Sequence, residues 1–241
     1  MHILAIDSSG HTACVSILNN EKILIELNQN TGYTHSGTLM PLVAKAFSCL
    51  GMDPREMDYI ACSMGPGSFT GLRIGAAAAK GLASGLGKKI VGVSTLDTLA
   101  YNIHNTNAHI IPVMDARRNE VYTAAYTWSP KLTRISEYMA LDIAELAELA
   151  KSFDTNAVFV GDGLVYRDQI KELCGDIAQF APLGHSLQRG AAIGALALEM
   201  IKNGAAAMPH DFNLLYIRRP QAERELEAKI NLADQLRNGA S

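Results

Sequence analysis

The order of elements along this chain constrains its fold more than any single motif does. HILAID (2–7), TACVSIL (12–18) and KILIEL (22–27) read as three successive strands, and Asn19-Asn20 suits a tight hairpin because asparagine tolerates positive φ. After Ser36 the apolar period changes to three and four at Leu39, Leu42, Val43, Ala46, Phe47 and Leu50, with Gly51 as a stop. A helix beginning near Thr38 keeps Pro41 in the first turn, where its missing N–H costs nothing. YIACSM (59–64) is the next strand, a helix runs from about Phe69 to Leu86, and KIVGV (89–93) is a further strand.

The second half repeats this order without repeating the letters. HIIPVMD, EVYTAAYTW and LTRISEYMA read as strands, IAELAELAK as a helix, AVFVGD as a strand and LVYRDQIKEL as a helix. IAQFA and the long helix LQRGAAIGALALEMIKNG follow. Three hairpin strands feeding a βα run, given twice, predict an α/β protein of two duplicated lobes, each βββαβα with a mixed sheet flanked by helices. The polar stretch NIHNTNA divides the chain into lobes at 1–103 and 104–217, leaving a charged tail at 218–241. The tail has helical character from Ala222 to Leu236 but no core-like stripe, as expected of a frayed or partner-dependent end.

Length and charge narrow the functions. At 241 residues the chain can bury a substantial core, and a net charge of -3 offers no global attraction to a polyanion. The amino terminus lacks the basic flank of a signal peptide, and no apolar run is long enough to span a membrane, so a cytoplasmic protein is expected. Cys14, Cys49, Cys62 and Cys174 show no CxxC spacing and are expected as buried, reduced thiols.

The stretch MGPGSFTGLRIG (64–75) raises a phosphate reading, since glycines before a helix start leave N–H groups free and Ser68 or Thr70 could cap it. A Walker loop needs G-x-x-x-x-G-K-[ST], which neither this run nor GLASGLGKK supplies. Gly71, Gly75, Ala78, Ala79, Gly81 and Gly85 instead leave one helix side almost bare, at about 1 kcal/mol per glycine relative to alanine. Close approach of another element is the expected compensation. Asp7, Ser8 and Gly10 form a strand-end turn that could serve phosphate and Mg²⁺ in a nucleotide-binding lobe or simply close an Asx-turn, and Gly161-Asp162-Gly163 shares the ambiguity. A helical metal pair needs His at i and i+4, and four residues after His35 stands Leu39. G-x-S-x-G is matched at neither Ser36 nor Ser68, which argues against a hydrolase.

ILAIDSS, THSGTLMP, GPGSFTGLRIG with its following KGLA, VSTLDTLA and MDARRNEVY together resemble the TsaB family, and NLLYIRRP is a weaker match. The resemblance runs from residue 1 to about 220. It implies the duplicated-lobe fold of the actin, sugar-kinase and heat-shock ATPase superfamily, with RNase H-like lobes. It also implies a non-catalytic scaffold and activating subunit in tRNA threonylcarbamoyladenosine modification. In that system the relative TsaD transfers the threonylcarbamoyl group, using a metal held by a His-x-x-x-His pair. The implied partners are TsaD, through the helices of the first lobe, and the ATPase TsaE; tRNA is met only indirectly, and alone the same surface is expected to form a homodimer. Leu39, Met40, Val43, Leu72, Arg73, Gly75, Ala76, Ala79 and Ala83 are the expected partner surface. Arg73 would either bridge to a partner carboxylate or snorkel along its own lobe. No cofactor is expected, with weak ATP or ADP binding left open at the lobe cleft or the complex interface, through Asp7, Ser8, Gly161, Asp162 and Gly163. The alternative function is a nucleotide phosphohydrolase or kinase of the same superfold, or a glycoprotease-like peptidase.

Overall fold

The computed structural model describes residues 1–32 and 34–217; the predicted tail at 218–241 lies outside the described residues. The first half supplies strands β1 (His2–Asp7), β2 (Ala13–Asn19), β3 (Ile23–Gln29), β4 (Tyr59–Gly65) and β5 (Lys89–Ser94). Its helices are α1 (His35–Leu50), α2 (Phe69–Leu86) and α3 (Thr95–Ala100). The strands form one sheet in the order β3-β2-β1-β4-β5, with β1–β2 and β2–β3 antiparallel and β1–β4 and β4–β5 parallel. Asn19 makes the first hairpin through its side chain, Oδ1 accepting from the N–H groups of Glu21 and Lys22 at 2.9 Å, rather than through positive φ.

The second half adds β6 (His109–Arg117), β7 (Glu120–Thr123), β8 (Tyr126–Trp128), β9 (Leu132–Arg134), β10 (Met139–Asp142), β11 (Ala157–Val160) and β12 (Ala178–Phe180). Its helices are α4 (Ile143–Lys151), α5 (Arg167–Cys174) and α6 (Gly190–Lys202). The order β10-β7-β6-β11-β12 repeats that of the first sheet. EVYTAAYTW and LTRISEYMA, expected as single strands, are each broken in two: β7 and β10 build the repeat, while β8 and β9 pair with each other beside β6.

Two expectations fail locally. The helix α1 begins at His35 rather than near Thr38, which puts Pro41 in its second turn. Pro41 and Gly37 are both exposed, so water can reach the carbonyl left without its helical partner. Cys49 is exposed, whereas Cys14, Cys62 and Cys174 are buried.

Helices cover the outer faces as the pattern predicts. On the first sheet, Leu39, Val43 and Phe47 of α1 and Ala76, Ala79 and Ala83 of α2 pack against Leu4, Ile6, Val15 and Ile60. On the second, Ile143, Leu146 and Ala150 of α4 and Ile170 of α5 pack against Ile111, Val113 and Phe159. Between the sheets the halves exchange helices. Leu96, Leu99 and Ala100 of α3 join Ile110, Tyr126 and Val160 of the second sheet, while Ile193 and Ala197 of α6 join Ile3, Ala61 and Val93 of the first. A cut after residue 103 thus separates the strands but not the helices. Glycine makes the α6 contact close: a Cβ on Gly190 would stand 2.9 Å from the Val15 carbonyl carbon, and one on Gly194 would collide with Leu18.

Past α6 the chain returns to the first sheet. Ala207 and Ile90 exchange backbone hydrogen bonds at 2.9 Å, Phe212 is buried in the first lobe, and the Leu215 N–H donates to the Met64 carbonyl at 2.7 Å. This segment ends at α2, where Tyr216 lies against Phe69 with ring centres 5.8 Å apart.

Candidate functional site

The glycines of GPGSFTGLRIG turn inward. A Cβ on Gly67 or Gly71 would collide with the carbonyl oxygens of Ser9 and Ser8 respectively, and one on Gly75 would stand 2.6 Å from Ser8 Oγ. Ser8 Oγ donates to the Gly71 carbonyl at 2.8 Å, and the Ser68 N–H donates to Ser9 O at 2.7 Å. Seen from the β1 turn, the start of α2 is bare so that backbone can lie against backbone. Gly65, at φ +111°, receives the returning segment, with Leu215 O 2.6 Å from its Cβ position.

This placement corrects most of the expected partner surface. Leu39, Val43, Leu72, Gly75, Ala76, Ala79 and Ala83 are buried within the first lobe, where the sheet's apolar face needs covering. Only Met40, 43% exposed, and Arg73 reach outward. The surface that these two helices do present lies one helical step away. Met40 of α1 and Ala77, Ala78, Gly81, Leu82, Gly85 and Leu86 of α2 line an apolar groove of about 470 Å³. Among the described residues nothing lies within 4 Å of a Cβ built on Gly81 or Gly85, so these glycines form an open floor.

Phe69, Arg73, Ala77, Gly81 and Gly85 recur every four residues and are all exposed, making one continuous line along α2. At its start the Arg73 guanidinium lies 3.8 Å from the centre of the Phe69 ring, and Arg73 Nε donates to Tyr216 Oη at 3.4 Å. Within the chain Arg73 therefore lies along its own lobe, on Phe69 and Tyr216. The sequence held a clue to this face in its four-residue spacing from Arg73, but Tyr216, some 140 residues away in the chain, gave no such signal.

The expected nucleotide-binding residues meet at the seam between the lobes. Asp7 is fully buried; its Oδ1 accepts from the Ser9 N–H at 2.7 Å, an Asx-turn, and from Ser63 Oγ. Its Oδ2 has no partner among the described residues. Burial pushes the Asp7 carboxyl above the ordinary carboxylate value, against the lowering hydrogen bonds from Ser63 and Ser9. Burial raises Asp162 as well, and its Oδ1 accepts from the Asp115 N–H at 3.1 Å. Gly161 and Gly163 are pressed on Val113 of β6, where any Cβ would meet its carbonyl group. Gly10 faces Gln188 and Asp162, with Asp162 Oδ2 2.9 Å from its Cβ position. Phosphate binding here would require these packed turns to part and would add negative charge beside buried acids.

His35, the first residue of α1, donates from Nε2 to the Gly10 carbonyl at 2.8 Å, which leaves Nδ1 unprotonated in the neutral ring. Leu39 points into the core, so the two positions of a helical metal pair are given to packing. Among the described residues no group of three or more His, Cys, Asp or Glu is arranged to hold a metal ion, and no helix is long and apolar enough to cross a membrane.

Duplicated sheets of one strand order, exchanged middle helices and an open apolar face on the outer pair define the class: a two-lobed, RNase H-like α/β protein with an apolar groove on its outer helices. The family model described as TsaD, tRNA N6-adenosine threonylcarbamoyltransferase, matches residues 27–226. A Bacillus subtilis relative named tRNA threonylcarbamoyladenosine biosynthesis protein TsaB is 34% identical over 73% of this chain and 77% of its own length. The Escherichia coli protein of that name is 34% identical over 52% of this chain and 55% of its own length. The chain belongs to the TsaB family, inside the wider family that the transferase model describes. Its fold is that of YeaZ from Pseudomonas aeruginosa, with a TM-score of 0.76 at 22% identity over 89% of this chain and 99% of that one. A second Pseudomonas aeruginosa structure, described as similar to the peptidase YeaZ, gives a TM-score of 0.78 at 23% identity over 90% of this chain and 99% of the other.

Proposed function

We propose that this chain is a non-catalytic subunit of tRNA threonylcarbamoyladenosine biosynthesis that docks the threonylcarbamoyltransferase on the exposed face of α1 and α2. The relatives' names supply the pathway, and the groove over Gly81 and Gly85 carries the docking site. Two glycines with open space above them, flanked by Met40, Leu82 and Leu86, let a partner helix approach to near backbone contact. An interface of standard size, about 800 Å² per partner, needs helices of this length. The buried Leu39 and the engaged His35 support a docking rather than a metal-dependent role for α1. In the absence of the transferase, a second copy is expected to use the same face. Recruitment of the pathway's ATPase would follow from the assembled pair, with tRNA held by the transferase.

Reconstitution tests this reading. Threonylcarbamoyladenosine formation on tRNA is measured with the cognate transferase, the ATPase and a threonylcarbamoyl-adenylate supply, with and without this chain. Dependence on the chain, with no activity from it alone, is the expected result; full activity without it rejects the reading. Gly81→Trp starts from a Cβ that meets nothing among the described residues, fills the groove, and is expected to weaken transferase binding at least about tenfold, or 1.4 kcal/mol.

A further inference from the structure

We propose that the β6–β7 hairpin, with Arg117 and Arg118 at its tip, is a phosphate-binding surface through which this chain touches the tRNA that the transferase holds. The identity of the anion rests on the pathway reading given above, whereas the cationic character of the hairpin rests on the chain alone.

The two lobes differ at this point. β1 and β6 occupy the same place in their sheets, and each ends in an acid that makes the same turn: Asp7 Oδ1 accepts from the Ser9 N–H at 2.7 Å, and Asp115 Oδ1 accepts from the Arg117 N–H at 2.8 Å. In the first lobe the acid is followed by Ser8, Ser9 and Gly10, all buried. In the second it is followed by Ala116, Arg117, Arg118 and Asn119, of which the last three are exposed. The turn does not require arginine, since serine follows the acid in the other lobe.

The backbone at the tip disfavours arginine. Arg117, Arg118 and Asn119 stand at φ +68°, +58° and +64°, and Arg118 and Asn119 fill the two positions between the ends of β6 and β7. A two-residue turn with positive φ at both positions favours asparagine and glycine, and only Asn119 complies. Arginine held in left-handed backbone at an exposed tip points to a use outside the fold. Arg117 is 81% exposed, and its approach to Asp115 Oδ2, at 3.9 Å, is longer than a hydrogen bond. Asp115 is engaged below the tip: Tyr166 Oη donates to its Oδ1 at 3.2 Å, and its own N–H donates to Asp162 Oδ1. The base of the hairpin is thereby fastened to the body while the tip stands in solvent.

Two guanidinium groups on adjacent residues of a fastened tip suit phosphodiesters, which arginine can take bidentately. They form a local cationic site on a chain whose net charge of -3 offers RNA no general attraction. The hairpin shares no residue with the α1–α2 groove, so the two surfaces can be altered separately.

Fluorescence anisotropy of labelled, unmodified tRNA tests the proposal over a series of salt concentrations, with the chain alone and with the chain and transferase together. Arg117→Gly combined with Arg118→Gly removes both charges and suits the positive φ, so the melting temperature is expected to hold or rise. Should this variant melt early, Arg117→Asn with Arg118→Asn removes the same charges with a residue that also accepts left-handed backbone. Loss of both arginines is expected to weaken tRNA binding about tenfold at physiological salt and to reduce the slope of log affinity against log salt by about 0.7–0.9 for each arginine. Arg117→Lys with Arg118→Lys is expected to keep most of that slope. Unchanged affinity and slope in the folded charge-removed variant would overturn the proposal. So would loss of binding to the pathway's ATPase, or to free ATP, with tRNA binding intact, which assigns the hairpin to a protein partner or to a nucleotide. If the transferase binds and the tRNA slope is unchanged, only the present inference fails; if the transferase never binds and the chain alone shows the arginine-dependent slope, only the docking reading fails.

Discussion

The two halves of α2 use glycine for opposite ends. In the first half, Gly71 and Gly75 lie under the Asp7–Gly10 turn, where even a methyl group would meet Ser8. In the second, Gly81 and Gly85 meet nothing among the described residues, although the spacing of glycines along the helix hardly changes. A small residue in a helix thus marks close approach only when something stands opposite it, and what stands opposite is set by residues distant in the chain.

The largest test breaks the inner half. Gly71→Ala drives a Cβ into the Ser8 carbonyl, and the expected loss is about 3 kcal/mol, roughly 6–12 °C in melting temperature by calorimetry. An unchanged melting temperature would remove the contact from the account.

Asp7→Asn probes the turn beneath that contact. Burial raises the Asp7 carboxyl, so the folded chain keeps a proton that the unfolded chain releases. That contribution is fully present below the ordinary carboxylate value near 3.8 and is lost as pH rises through the raised folded value. The substitution is expected to flatten this slope and to stabilise the chain at pH 7 by about 1 kcal/mol, because it removes the carboxylate charge that burial disfavours. Urea denaturation at several pH values reads both effects.

The outer half should respond with the opposite sign to the inner. Gly81→Ala and Gly85→Ala, neither at positive φ, are each expected to stabilise the chain by about 0.5–1 kcal/mol in urea titration. Destabilisation at either position would show that the outer face is occupied within the chain. Arg73→Ala, at the head of the same line, loses an exposed cation–π contact and should cost only about 0.5 kcal/mol. A larger loss would mean that Arg73 also fastens the returning segment through Tyr216.

Much of the fold was legible locally. Strand-length apolar runs, the change of period after Ser36 and the stop signal at Gly51 reflect chain geometry that each segment carries by itself, and α2 spans Phe69–Leu86 as expected. The start of α1 was misplaced because an exposed Pro41 is tolerated one turn deeper than the rule for buried helices allows. The partner surface was harder to read. Leu72, Ala76, Ala79 and Ala83 differ little in character from Ala77, Ala78 and Leu82, so the residues that line the groove carry no polar contrast to the core face of α2. The seam residues Asp7, Asp162 and Gly10 were visible singly, but Gln188, which packs on Gly10, came from a helix start with no motif of its own.

The sequence by itself determined the duplicated order of strands and helices, because periodicity and turn chemistry act over a few residues. Tertiary structure decided that α3 and α6 exchange sheets, that Tyr216 meets Phe69 and that Gly71 is buried while Gly81 is open. Those outcomes depend on which surfaces distant in the chain are brought together, and burial and close packing are properties of the pair of surfaces rather than of either segment alone.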